Sequence, residues 1–179
     1  TSSIDKTKEQ AKVMEIPLII QKTKGNKEDE LKDLERVIEK AKKKYKIQGI
    51  VSGAIQSVYQ ASRIQKICNK LNLECFNPLW QKNEEEYLSE LIQNKFKTII
   101  AGVFAYPLDS SWLGKEINQK FIYELKKINQ KYKVNLAGEG GEYETFVLNC
   151  PLFKRELQII NKKIHSTGEN SCKLELEIE

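Results

Sequence analysis

Apolar residues along the chain follow two rhythms. Leu31, Leu34, Ile38, Ala41 and Tyr45 recur every three or four positions, which predicts a helix with Asn26 as its cap and Glu28, Asp29 and Glu30 near its start. The same spacing returns at Ile64, Ile67, Cys68 and Leu71, predicting a helix from about Ser57, and again at Tyr87, Leu88, Leu91 and Ile92. Phe121, Ile122, Leu125 and Ile128 mark another, capped by Asn118. Asn83 and Glu86 form a capping-box pattern, so the acidic run Glu84 to Glu86 reads as structural rather than catalytic. A helical segment, Ile4 to Met14, opens the chain.

Short apolar runs separate these helices. Ile16 to Ile20, Gln48 to Val51, Leu73 to Asn77 and Lys97 to Phe104 each read as a strand. Strands alternating with helices predict an α/β fold with a parallel sheet. Beyond about Asn77 the pattern loosens, with a loop at Leu108 to Gly114 and a glycine-rich segment before Phe146 to Leu148. Cys172, Leu174, Leu176 and Ile178 alternate with charged residues at period two, predicting a half-buried strand. Lys154 to Ile160 is the expected partner of that strand, with Asn161 to Ser171 connecting them. A boundary near residue 77 therefore divides the chain into 1–77 and an α+β region at 78–179.

The 179 residues carry 30 Lys plus Arg against 25 Asp plus Glu, a formal charge of +5 that names no partner. The dense run Lys40 to Lys46 falls at a helix end, where cations complement the macrodipole. No aromatic platform or RNA-binding signature accompanies it, so nucleic-acid binding is not expected. No apolar run reaches bilayer length, and Thr1 to Gln10 lacks the apolar core of a signal peptide, making a cytoplasmic protein the expectation. Cys68, Cys75, Cys150 and Cys172 are too widely spaced for a metal motif and read as reduced thiols. A Cys150 and His165 pair is the alternative, with nothing nearby in the sequence to support it.

Three stretches concentrate chemistry. Gly138-Glu139-Gly140-Gly141-Glu142-Tyr143-Glu144-Thr145 packs three glycines and three carboxylates into eight residues. Glycine permits close backbone approach, and clustered acids hold a cation or move a proton at a cost in mutual repulsion; a solvated turn is the plainer alternative. Val51-Ser52-Gly53-Ala54 leads from a strand into a helix, the place where open α/β sheets bind ligands and helix N-termini attract phosphate. Tyr59 and Arg63 share a face early in that helix, and Arg63, one of only three arginines, suits a phosphate or carboxylate; a packed turn with a surface arginine is the alternative. In Leu108-Asp109-Ser110-Ser111-Trp112-Leu113-Gly114, Trp112 is read as pocket wall or core.

Taken in order, Gly49 to Ala54 with Tyr59-Gln60 and Arg63, then Pro78-Leu79-Trp80, Leu108-Asp109 with Trp112-Leu113-Gly114, the acidic glycine run through Leu148, and Cys150-Pro151-Leu152-Phe153 resemble the diphthine–ammonia ligase family of PP-loop ATP pyrophosphatases. The resemblance runs from about Asp5 to Ile160 and implies a Rossmann-like nucleotide-binding domain, of which 1–77 is the remainder, and a substrate region at 78–179. It also implies ATP with magnesium, and amidation by ammonia of diphthine on translation elongation factor 2 through an acyl adenylate, releasing AMP and pyrophosphate. On this resemblance Ser52, Gly53, Ala54 and Arg63 line the nucleotide, and Glu139, Glu142 and Glu144 face the same cleft to bind ammonium or take its proton. Gly140 and Gly141 let the backbone pass close to the nucleotide, while Tyr59, Asp109, Trp112, Gly138 and Thr145 are assigned to the substrate.

The family opens with a strand and a Ser-Gly-Gly-Lys-Asp-Ser type loop, and no such segment lies in these residues. Because the chain opens on a helix with no strand ahead of it, the expectation is that this front part lies outside the sequence. The alternatives are a PP-loop enzyme acting on another substrate, such as transfer RNA, and a nucleotide-binding module without catalysis.

Overall fold

The structure is a computed structural model that describes residues 4–23 and 27–179, without the side chains of 27–29 and 167. Two compact units emerge, residues 18–82 and residues 1–17 joined with 83–179. The sequence pattern places its boundary near 77 and keeps residues 1–17 with the first part, whereas here they join residues 83–179.

In residues 18–82, helix α2 (Lys27–Tyr45) precedes strand β1 (Gly49–Val51), helix α3 (Val58–Leu71) and strand β2 (Glu74–Phe76). The two strands pair in parallel, Ile50 opposite Cys75 and Val51 opposite Phe76. The helical periodicity of the sequence is explained by one core, in which Ile38 of α2 meets Ile67, Cys68 and Leu73, with Leu31, Leu34, Ile50 and Ile64 at its margin. Ser57 caps α3 by accepting from the Gln60 amide at 3.3 Å, and Asn72 ends it in the left-handed region. Lys42 Nζ donates to the Leu71 carbonyl at 2.5 Å, fastening the end of α3 to α2. The expected cap Asn26 and the turn at 24–26 lie outside the described residues.

The other unit is α+β and is the larger of the two. Helix α1 (Thr7–Met14) belongs to it, as do α4 (Glu84–Gln93), strand β3 (Lys97–Val103), α5 (Gln119–Tyr132) and strands β4 (Tyr143–Asn149), β5 (Ile159–Gly168) and β6 (Ser171–Ile178). Its sheet runs β4-β3-β6-β5 with every pairing antiparallel. The α/β class holds, with a parallel pair in one unit and an α+β arrangement in the other, but β3 does not extend the parallel series. It is buried on both faces, the condition in which a strand loses its alternation and reads as a continuous apolar run. Ile100, Val103 and Tyr143 pack against Leu88 of α4 and Phe121, Ile122 and Leu125 of α5. Ile99, Ala101, Phe146, Leu148, Leu174 and Leu176 form a second core with Val13 of α1 and Leu157.

Two local expectations are corrected. Ile16 to Ile20 forms no strand: Glu15 turns the chain in the left-handed region, the Ile16 amide closes α1 on the Ala11 carbonyl at 3.1 Å, and Pro17 has no amide to give. Most of the apolar side chains there stay exposed, Ile16 at 50% and Ile20 at 54%, with only Ile19 half-buried. The partner of the last strand is Ile159–Gly168, joined by a tight turn at 169–170 rather than by a long connection. Strand β5 is an edge strand rich in lysine with a register shift between Ile159 and Asn161, so period two is absent from its sequence. Among the described residues no helix is long and apolar enough to cross a membrane.

Leu125 is wholly buried at the centre of the first core, and Asn118 caps α5 by accepting from the Phe121 amide at 3.0 Å. Replacing Leu125→Ala is expected to cost about 2–5 kcal/mol in urea unfolding, whereas Asn118→Ala should cost about 1 kcal/mol. Equal losses would contradict the packing described.

Candidate functional site

The first group of expected residues meets in one cavity of residues 18–82. Strand β1 continues one residue past its end, where the Ser52 amide donates to the Phe76 carbonyl at 2.9 Å. Ser52 is buried and its hydroxyl accepts from the Ala54 amide at 3.3 Å, which turns the chain toward α3. Ala54 and Ile55 are buried anchors of this turn. Gly53 stays exposed at its crest, and a Cβ added there would have no heavy atom within 4 Å. Neither a positive φ nor tight packing demands glycine at this position.

Beside the turn lies a cavity of about 400 Å³ lined by Ser52, Gly53, Ala54, Tyr59 and Arg63, with Leu31 and Leu34 of α2 as an apolar wall. Arg63 lies over the Tyr59 ring, its guanidinium carbon 3.6 Å from the centroid, so the cation is held at the cavity by its neighbour one turn back. The first turn of α3 has no acidic residue, leaving its amide dipoles unopposed. A half-apolar pocket with a fixed guanidinium and an uncovered backbone turn fits a planar ring and an anionic group. Glu30 and Gln60 also line it; the sequence offers Gln60 only as part of the Tyr59-Gln60 motif and Glu30 only as an acid near a helix start, neither with a role at the site. Helical phase relative to Arg63 pointed to Gln60, three positions away.

The acidic glycine run forms the loop between α5 and β4 in the other unit. Lys133 ends α5 in the left-handed region, and Val134 and Leu136 are buried behind the loop. Gly138 and Gly141 take positive φ, 72° and 81°, and the Gly141 amide donates to the Gly138 carbonyl at 3.0 Å. Glu142 Oε1 accepts from the Asn135 amide at 2.9 Å, while its Oε2 is buried without a hydrogen-bond partner. A Cβ on Gly140 would lie 2.5 Å from that carboxylate, so glycine there makes room for the acid rather than for the chain. Glu139 faces Tyr87, whose phenol is pushed up by burial and by the Glu139 charge. Burial raises the Tyr143 phenol further, with the charges of Tyr87, Glu142 and Glu84 adding to it, and its hydroxyl donates to the Leu136 carbonyl.

Glu144 lies on β4 opposite Gly102, half-buried, and Thr145 is exposed. Among the described residues no group of three or more His, Cys, Asp or Glu is arranged to hold a metal ion, so the three acids of the run do not converge as one ligand set. Asp109 caps a short turn, accepting from the Ser111 amide at 2.9 Å and hydroxyl at 2.5 Å, and these bonds hold its carboxyl below the usual range. Trp112 is 8% exposed and packs edge-to-face on Phe121, which packs in the same manner on Tyr143. Its place is the core beneath the acidic loop.

Glu84 and Asn135 carry more of this loop than the sequence suggested. Glu84 was absorbed into the reading of a helix start, and Asn83 does cap α4, accepting from the amides of Glu85 and Glu86. The available signal for Asn135 was its position three residues ahead of a glycine, since asparagine bonds backbone amides a few residues on. His165 pairs with Glu175 at 2.6 Å on β5 and β6, whereas Cys150 is buried just past β4, which lies at the other edge of that sheet, so the two form no dyad. All four cysteines are free, and burial with the adjoining Cys75 thiol pushes Cys68 up to about 11.

Two family models match successive parts of the chain. Residues 1–75 match the family model of the diphthamide synthase N-terminal domain, and residues 83–175 match that of the diphthamide synthase C-terminal domain. The chain is 42% identical over 137 residues to a diphthine–ammonia ligase of Bos taurus, covering 76% of this chain and 51% of that protein. It is 41% identical over 137 residues to the Homo sapiens protein of the same name, with the same two coverages of 76% and 51%. Against the Schizosaccharomyces pombe diphthine–ammonia ligase it is 36% identical over 144 residues, 79% of this chain and 24% of that protein. The chain thus spans about half the length of the mammalian relatives it matches. The resemblance carried by the glycine-rich acidic run and the strand-to-helix turn is borne out, and with both family models matched along its length, the chain belongs to the diphthamide synthase family.

Proposed function

We propose that this protein amidates diphthine on translation elongation factor 2, using ATP and ammonia. The observation that carries this reading is the cavity beside Gly53, which gives Ser52, Gly53, Ala54, Tyr59 and Arg63 a common physical role as a nucleotide pocket. Its apolar wall suits an adenine ring, and Arg63 with the start of α3 suits phosphate. A carboxylate resists attack by an amine because its oxygen is a poor leaving group; transfer of AMP to that oxygen, with release of pyrophosphate, gives an acyl adenylate from which AMP departs. Magnesium would accompany the polyphosphate of ATP, neutralising charge, and no protein ligand set is assigned to it.

Ammonia attacks only after ammonium has given up its proton. Glu142 is the acid best disposed for this, since one of its oxygens is committed to the Asn135 amide and the other is buried and unpartnered, ready to accept an N–H. Glu139 and Glu144 flank it in sequence and add negative potential that draws a cation toward the loop. The aromatic stack from Trp112 through Phe121 to Tyr143 supports the loop from below.

Two variants test the reading. Gly53→Ala meets open space, so its unfolding midpoint should stay within about 0.5 kcal/mol of the parent, while ATP affinity measured by calorimetry drops by roughly tenfold. An unchanged affinity would remove the cavity from the mechanism. Glu142→Gln should retain ATP binding and lower amide formation about 10²- to 10⁴-fold, followed as AMP release with ammonia and elongation factor 2 bearing diphthine. Full activity of Glu142→Gln would clear Glu142 of the role, and ATP binding with no amide formed by the parent protein would leave a nucleotide-binding module.

A further inference from the structure

The acidic loop is braced from α4. Glu84, the first residue of that helix, gives both carboxylate oxygens to two consecutive residues of the loop. Oε1 accepts from Asn135 Nδ2 at 2.7 Å and Oε2 accepts from the Leu136 amide at 2.7 Å. Asn135 in turn uses each of its polar groups. Its Oδ1 accepts from the Ala137 amide at 2.8 Å and the Glu139 amide at 3.1 Å, its carbonyl accepts from the Gly138 amide at 3.2 Å, and its own amide is the donor to Glu142 Oε1.

This arrangement has a physical logic that an ordinary loop does not need. Like-charged carboxylates brought close repel, and each needs donors to remain ionised away from water. Asparagine supplies donors and acceptors without adding charge. A carboxylate accepting two bonds at fixed angles holds both the side chain of Asn135 and the peptide that follows it, which orients the Asn135 residue as a whole and with it its own N–H. That N–H fixes where the Glu142 carboxylate sits and which of its oxygens is left over. Gly140 completes the fit by keeping the space beside Glu142 clear.

We infer that Asn135, held by Glu84, is the positioning residue for the Glu142 carboxylate, selecting the oxygen that receives the ammonium proton. The inference rests on the reading of Glu142 as proton acceptor. It extends it by assigning a kinetic role to two residues that act through the Glu142 carboxylate.

The experiment uses Asn135→Ala and the milder Glu84→Gln, whose amide keeps one acceptor of the two, in case the first variant folds poorly. Backbone amide exchange at residues 135 and 139 should quicken in both, more in Asn135→Ala. The KM for ammonia should rise roughly 10- to 100-fold in Asn135→Ala and less in Glu84→Gln, with ATP affinity unchanged. In a Glu142→Gln background the same substitutions should produce no further loss of amide formation. Exchange that quickens without a change in the KM for ammonia would make the brace merely structural and overturn the inference, as would exchange that does not change. A fully active Glu142→Gln, with exchange altered as expected, would instead bring down the proton-acceptor reading and leave the brace standing as loop architecture.

Discussion

A carboxylate removed from water has to have its lone pairs occupied, and in residues 83–179 that requirement shapes the backbone. Glu84 meets it by reaching from the start of α4 to Asn135 and Leu136, and Glu142 meets half of it through the Asn135 amide. The rest of the loop follows from these bonds. Gly138 and Gly141 take the left-handed turns that return the chain to β4, Tyr143 then enters the core with its hydroxyl on the Leu136 carbonyl, and the Phe104 amide donates to the Glu142 carbonyl at 2.8 Å to join the loop to β3. One exception, the second oxygen of Glu142, remains, and a deliberate exception in an otherwise satisfied network is where chemistry is to be sought.

Residues 18–82 are organised by packing rather than by polar bonds. Two helices share a single core over a parallel strand pair, and α3 is fixed at both ends, by Ser57 at its start and by Asn72 and Lys42 at its close. That rigidity lets a short turn, Ser52 to Ala54, stand at the end of β1 with its middle residue uncovered. Arg63 is placed by the same helix and lies over Tyr59, so the helix that follows the turn also supplies the cavity's cation.

Much of this was legible in the sequence because local chemistry and tertiary packing agree. The helices of Ile64 to Leu71, Tyr87 to Ile92 and Phe121 to Ile128 were read from periodicity, and the caps Ser57, Asn83 and Asn118 are as the turn chemistry requires. The residues around the cavity were found because Gly53 sits where a strand hands over to a helix. What escaped had a non-local cause. Whether Ile16 to Ile20 is a strand depends on a neighbour, and β5 carries no alternation because its place at the sheet edge relaxes the demand for it. β3 looked like one more parallel strand since burial on both faces conceals direction. Glu84 had a sufficient local explanation as a first-turn acid, and its bond to residue 135 spans 51 positions that no motif connects.

The attachment of α1 has a temporal side. Gln10 Nε2 donates to the Val147 carbonyl at 2.9 Å, and the Lys154 amide donates to the Val13 carbonyl at 2.7 Å, so this helix is bonded to β4 and to the segment after it, made well over a hundred residues later. During synthesis α1 is made before the residues it docks on, while residues 18–82 contain the Ile38, Ile67, Cys68 and Leu73 core around which they pack. Helix α1 thus finds its seat only once the ribosome has delivered β4 and the residues just after it. Such long-range closure is slow, which leaves the apolar stripe of α1 around Val13 uncovered until those later residues arrive.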